Sequence, residues 1–258
     1  MPGESFSNMT SGNINNHQKE VERIQSVYSY YDSTQKVQIR RDQNNSGNQF
    51  IHKERIKAIA FLLNSCGWLP FPKSFKILDI GCGNGGFLGE FCIKQGAEPS
   101  QLYGIDLLPN RIEQARKNYP KINWICGNSE KLEFNLCTFD LIAASDLFSS
   151  ILDNGMATQL ASEIDRVLKP GGAVLWYDFR YNNPQNPHVR GMTKKRIFKL
   201  FPHFIHHIQS ITLAPPLARH LGVFTSVLYP VLSCIPFLRS HYVGLLLKPA
   251  EQFNPSRP

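Results

Sequence analysis

The chain has 258 residues, 42% of them hydrophobic, which suits one large domain or two small ones around a sizeable core. Its six cysteines form no C-x-x-C pair and no Cys/His cluster at zinc-finger spacing, so reduced thiols and no metal are expected. Lys and Arg outnumber Asp and Glu by 28 to 20, with a net −4 over residues 75–179 and a net +9 over residues 180–258, so an anionic partner or a solvated basic face is expected near the C-terminal third.

Residues 1–18 are rich in Ser, Asn and Gly and read as a disordered tail. This polar start argues against a secretory signal and for a cytoplasmic location. Val21, Ile24, Val27 and Tyr28 then recur at helical spacing. Residues 32–48 read as a polar loop, and residues 51–66 as a second helix with an Ile56, Ile59, Ala60, Leu62, Leu63 stripe, stopped by Gly67. Together residues 19–73 read as an N-terminal helical cap or lid, with a domain boundary near Lys73 and one domain over 74–258.

Strands and helices alternate next. Strands are expected over 75–80, 101–106, 123–126, 139–144 and 173–179, and helices over 85–95, 109–118 and 156–168. Such alternation argues for an α/β fold, a parallel sheet covered by helices on both faces. A helix over 193–200 and strands over 206–213 and 242–247 follow, with an insertion over 214–238 between those strands. Residues 221–238 carry no charge, yet Pro230 and Pro236 break them, so a buried or interfacial segment is expected rather than a membrane span.

The strand Ile77-Leu78-Asp79-Ile80 runs into Gly81-Cys82-Gly83-Asn84-Gly85-Gly86 and then a helix. Glycines permit a tight turn and let a ligand lie against bare backbone at a helix N-terminus. A second strand ends in Asp106, 25 residues after Gly81, where a carboxylate can accept from the ribose hydroxyls of an adenosyl ligand. Asp79 would repel a pyrophosphate but tolerate a zwitterionic or cationic ligand.

These residues resemble motif I of class I S-adenosylmethionine-dependent methyltransferases. Gly104-Ile105-Asp106 is similar to the acidic end of that family's second strand, and Gly127-Asn128-Ser129-Glu130-Lys131-Leu132 to its adenine-holding loop, with Asn128 where the family often has Asp. Phe139-Asp140-Leu141-Ile142 resembles the fourth-strand motif, and Leu168-Lys169-Pro170-Gly171-Gly172 the turn before strand five. The resemblance covers residues 75–180. It implies a Rossmann-like sheet of seven strands, mostly parallel with an antiparallel last strand. It also implies S-adenosylmethionine as cofactor, held by Tyr28, Asp79, Gly81, Cys82, Gly83, Asp106, Leu107, Asn128, Ser129 and Ser145.

The acceptor would then approach from the ends of strands four and five and from the cap. Asp146, Asp178 and His188 are the candidate bases there, and Tyr31, Phe148, Arg180, Tyr181 and Asn182 the candidate acceptor contacts. Asp178 could equally pair with Arg180 or cap a helix, and Asn182-Asn183-Pro184 has the chemistry of a plain turn. The leading expectation is methyl transfer to an oxygen or nitrogen of a small molecule, a secondary metabolite or saccharide-like acceptor, anionic or bulky and apolar. The runner-up is an RNA methyltransferase, followed by a non-catalytic protein that only binds S-adenosylmethionine; no DNA partner is expected. Residues 217–238 are expected to wall the acceptor pocket, with peripheral membrane contact as the alternative.

Overall fold

Short apolar runs pair into one seven-stranded sheet in the computed structural model, which describes residues 5–40 and 42–250, without the side chains of residues 5–15, Lys36, Gln38 and Arg40. Three helices come first: α1 (Ser5–Ser33), α2 (Gln35–Arg40) and α3 (Ser46–Ser65). The strands are β1 (Ile77–Ile80), β2 (Leu102–Asp106), β3 (Asn123–Cys126), β4 (Phe139–Ser145), β5 (Leu168–Phe179), β6 (Ile205–Leu213) and β7 (Arg239–Leu247). They lie in the order β3-β2-β1-β4-β5-β7-β6, with β7 antiparallel to both neighbours. This is the Rossmann-like arrangement that the motifs imply.

A π-helix, Phe87–Cys92, follows β1; α4 (Pro109–Asn118) follows β2, and α5 (Asn154–Val167) follows β4. α6 (Lys194–Leu200) precedes β6, and α7 (Pro215–His220) and α8 (Thr225–Ser233) lie between β6 and β7. Alternate strand residues feed opposite faces. Leu78, Ile142, Val174 and Trp176 pack with Leu160 and Ile164 of α5, whereas Ile77, Leu141, Ala143 and Leu175 pack with Ile59 and Leu63 of α3.

Three differences from the sequence reading have physical causes. α1 starts at Ser5, well before Lys19, and the expected tail over residues 1–18 is helical from there; residues 1–4 lie outside the described residues. His17 anchors this stretch between Glu130, at 2.6 Å, and Asp153. Second, Lys73 does not separate two cores, because α3 supplies Ile59 and Leu63 to the sheet's own core while α1 supplies Val21 and Ile24 to the other face. Third, Lys169-Pro170-Gly171-Gly172 lies inside β5 as an irregularity. Gly171 adopts φ +78°, the pairing with β4 shifts between Phe139 and Leu141, and the Lys169 ammonium lies 2.8 Å from Asp140.

The insertion packs on α3. A side chain at Gly47 would overlap the Ala218 carbonyl, so the two helices touch backbone to backbone. Glu54 of α3 accepts from the Tyr229 hydroxyl of α8 at 2.7 Å and from the Thr212 amide at 3.0 Å.

Trp124 of β3 explains two of the motif glycines. A Cβ on Gly104 would come within 2.2 Å of its indole ring, and one on Gly85 within 2.4 Å. Gly104→Ala is therefore expected to destabilise the fold by about 1–3 kcal/mol through overpacking. Urea unfolding checks this, and Trp124→Leu in the same chain should recover part of the loss.

Candidate active site

The carboxyl ends of β1, β2 and β4 open into a cavity of about 1330 Å³. Gly81 and Gly83 turn there at φ +73° and +54°, the left-handed region that glycine enters without strain. A Cβ on Gly83 would meet nothing within 4 Å, so its backbone lies bare to the cavity. The Asp106 carboxylate holds this turn. One oxygen accepts from the Gly83 amide and the other from the Leu108 amide, both at 2.9 Å. Each oxygen keeps a second lone pair for a ligand hydroxyl, and Asp106 faces the cavity beside Leu107. Asn128 and Ser129 line the far side; the Asn128 amide is turned onto Glu130, donating to its carboxylate at 2.7 Å.

α1 closes the opposite side. Asp32 receives two bonds from Arg111 of α4, both at 2.7 Å, and that guanidinium lies 5.0 Å from the centre of the Tyr28 ring. The Tyr28 hydroxyl bonds Ser150, and the Tyr31 hydroxyl donates to Asn186 at 3.0 Å. Burial pushes the Tyr28 hydroxyl above the usual tyrosine range, so it stays a neutral donor. Lower on α1, Glu20 accepts from the amides of Leu152 and Asp153, and Arg23 donates to the Ser150 carbonyl. The helix is thus riveted to the loop after β4.

Asp146 occupies the cavity wall at the end of β4, at φ +51° and 40% exposed. Behind it lies His241 of β7, its Nε2 3.6 Å from Asp146 Oδ1. His241 is stacked on Tyr177 and bonded through Nδ1 to the Ser240 hydroxyl at 2.8 Å. Burial, with help from the Arg55 guanidinium, pushes its pKa down to about 3, so the ring is neutral. Arg55 of α3 sits over the Tyr177 ring and donates to Ser145 at 3.0 Å.

Of the residues singled out from the sequence, Tyr28, Tyr31, Gly81, Gly83, Asp106, Leu107, Asn128, Ser129, Ser145, Asp146 and His188 line this one cavity. Others do not. Asp178 is fully buried and spends its carboxylate on the Ser149 and Phe179 amides, so it holds the loop after β4 rather than facing an acceptor. Burial first, and Asp146 second, raise its pKa to about 7. Phe148 is buried against Trp176, their ring centres 5.0 Å apart. Arg180 stacks on Tyr181 and Tyr242 and donates to the Pro236 carbonyl, and Asn182 accepts from the Gly191 amide. Cys82 is buried, its thiol pushed up by that burial, and Asp79 is buried beneath the turn. From the insertion, Arg219 reaches the cavity lining.

Asp32, Arg111 and His241 are not among the candidate site residues of the sequence reading. The first two are an ordinary surface-type pair until α1 folds over α4. His241 is a lone histidine in an apolar strand, with no motif around it.

Residues 77–172 match the family model described as a methyltransferase domain. They form a class I S-adenosylmethionine-dependent methyltransferase domain. Over 113 residues the chain is 31% identical to the phthiotriol/phenolphthiotriol dimycocerosates methyltransferase of Mycobacterium leprae, covering 42% of this chain and 39% of that protein. Over 97 residues it is 35% identical to the demethylmenaquinone methyltransferase of Chlorobaculum tepidum, covering 38% of each. The match thus spans about two fifths of these relatives. In fold, the chain is similar to a putative sarcosine dimethylglycine methyltransferase from Galdieria sulphuraria, with a TM-score of 0.58 at 16% identity over 76% of this chain and 85% of that one.

The family's cofactor, S-adenosylmethionine, fits the residues present in the methyltransferase domain. The bare Gly81–Gly83 backbone leaves room where a Cβ would intrude, Asp106 offers two acceptor oxygens, and Tyr28 adds an aromatic face suited to a sulfonium. When bound, the cofactor supplies an electrophilic methyl group.

Two measurements test this site. Asp106→Ala is expected to lower S-adenosylmethionine affinity about ten- to a hundredfold, since charged hydrogen bonds are worth roughly 1.5–3 kcal/mol; unchanged affinity by calorimetry would contradict the assignment. The second concerns Asp79, whose pKa is raised to about 7 by burial and by Asp106 against the pull of Arg55. Between an unfolded value near 4 and that folded value, the native protein holds a proton that the unfolded chain has released. Stability therefore falls as pH rises from about 4 to about 7 and is level above. Urea unfolding at pH 5 and pH 8 should show a larger loss in the natural protein than in Asp79→Asn; equal losses would refute the shift.

Proposed function

We propose that the chain transfers the methyl group of S-adenosylmethionine to an oxygen or nitrogen of a small, partly apolar molecule, with Asp146 as the base. The observation that carries this reading is the place of Asp146 on the cavity wall, at the carboxyl end of β4 and backed by neutral His241. The Ser240 hydroxyl, whose own proton goes to the Thr212 carbonyl, holds the ring at Nδ1, so the Nε2 edge of His241 faces the Asp146 carboxylate from 3.6 Å, beyond hydrogen-bond distance, and sets no charge beside it. Asp146 would take the proton of an acceptor hydroxyl as its oxygen bonds the methyl carbon, or that of an ammonium beforehand, freeing the nitrogen lone pair. Bound S-adenosylmethionine would supply the methyl carbon, its carbon–sulfur bonding pair staying on sulfur. Alignment of acceptor and donor supplies much of the rate.

The acceptor side mixes apolar and polar groups. Tyr31, Leu147, Phe179 and Val189 offer apolar surface, and Asn183 and His188 offer hydrogen bonds. That mixture supports a partly apolar acceptor, as do the names of the two relatives that methylate phthiotriol dimycocerosates and demethylmenaquinone. A small acceptor suits the cavity better than RNA, because the Tyr31–Asn186 bond ties α1 to the loop after β5 across it.

Asp146→Asn tests the base. Asparagine tolerates positive φ, so the backbone should persist. Turnover of a hydroxyl acceptor is expected to fall about 10²–10⁴-fold with S-adenosylmethionine affinity retained, and His188→Gln should cost far less. Turnover undiminished in Asp146→Asn would remove Asp146 from the reaction.

A further inference from the structure

α8 is apolar on both sides. Thr225, Tyr229 and Leu232 turn inward, the first two buried and the third packed among Leu213, Ala218 and Leu217. Phe224, Val227, Leu228 and Val231 recur at i, i+3, i+4 and i+7, a complete helical stripe, and all four are exposed, by 64%, 66%, 39% and 61%. Val223 and Phe237 extend the stripe at both ends, at 88% and 73% exposed, and Phe61 of α3 adds a further exposed ring beside Pro230. Six large apolar side chains standing in water within fifteen residues are more than scattered surface apolar residues account for.

The exposed charges that line the groove beside this face are cationic. Residues 221–238 carry no charge, and Arg239 next to them donates to the Ser233 carbonyl. His220 is exposed where α7 ends, and Lys53 and Lys57 of α3 are exposed along the groove they share with Pro230 and Ser233 of α8. The acid of that groove, Glu54, is engaged inward by Tyr229 and Thr212. An apolar stripe with a cationic rim complements an anionic lipid surface, where apolar side chains enter the acyl boundary and cations meet phosphate. A second copy of the chain would bring cation against cation across the same face. No helix among the described residues is long and apolar enough to cross a bilayer, so the contact is interfacial.

We propose that residues 220–238, with Lys53, Lys57 and Phe61, dock the protein onto the surface of an anionic lipid bilayer. The stripe residues stand outside the lining of the active-site cavity, while Arg219 of the same insertion belongs to it. The docked segment is therefore joined directly to the cavity wall.

Vesicle flotation tests this with the full chain. The probes are phosphatidylcholine vesicles with and without three parts in ten of phosphatidylglycerol, at low and at high salt. The natural protein is expected to float with the anionic vesicles and to be released about tenfold by high salt or by omitting phosphatidylglycerol. Phe224→Glu with Val231→Glu should lower binding more than tenfold, and Lys53→Glu with Lys57→Glu should weaken it at low salt. All these positions are exposed, and retained S-adenosylmethionine affinity checks that each variant is folded. No flotation of the natural protein, or equal flotation of the Phe224→Glu, Val231→Glu chain, would overturn the proposal. So would a dimer in light scattering that the same two substitutions dissolve while vesicles capture nothing.

Discussion

The Asp106 carboxylate is the constraint on which the site depends. It stands at the end of β2 and accepts amide bonds from both neighbouring turns, Gly83 after β1 and Leu108 after β2. Beside the bonds from the Gly81 and Cys82 amides to the Ile105 carbonyl, it ties the left-handed glycine turn to the chain leaving β2. Because both amides come from the protein side, the carboxylate is oriented before any ligand arrives, and its remaining lone pairs face the cavity. The same carboxylate that fixes the turn lines the cavity. Substitution here therefore removes a contact and loosens the loop that presents the rest of the cofactor site.

Most of the fold was legible because its signals are local. β3 and α4 begin and end where the sequence reading places them, and β1, β4 and α5 differ from it by one or two residues at an end. Three of the five motifs bring the cofactor candidates together, since they sit at the carboxyl ends of β1, β2 and β3, which the sheet order makes neighbours. The misreadings share a different cause. Asp178, Arg180 and Asn182 occur in a polar run after a strand, which looks like a site, but two of them spend their charge or amide on backbone groups and the third on stacking and a carbonyl. Two of their partners, Ser149 for Asp178 and Pro236 for Arg180, come from loops far along the chain, and no spacing rule foretells them. Asp32 with Arg111, 79 residues apart, and Asp146 with His241 have the same character.

The cap shows how one segment can serve two ends. α3 is a helix of the sheet, buried at Ile59 and Leu63, while α1 is fixed to the site by polar bonds to Leu152, Ser150, Asn186 and Arg111. Polar rivets of this kind are individually modest and open locally more readily than an apolar core. The division places the easily opened contacts beside the cavity, where a donor and an acceptor must enter, and leaves the apolar ones under the sheet.

Arg55 joins these halves electrostatically. It rises from α3 to the ends of β4 and β5, donates to Ser145 and lies over Tyr177. Its charge draws the pKa of two buried groups down, against burial at Asp79 and together with burial at His241, which it helps keep neutral. A protonated His241 would form an ion pair with Asp146 and lower its basicity; a neutral one, 3.6 Å away, places no charge beside the carboxylate and leaves it able to take a proton. A cation on the helix that packs under the sheet thus acts, through His241, on the surroundings of the Asp146 carboxylate at the cavity wall. Arg55 reaches the site with one hydrogen bond, to Ser145, and its Nε is buried without a partner beside the Tyr177 ring, so the rest of its influence there is the field of its charge.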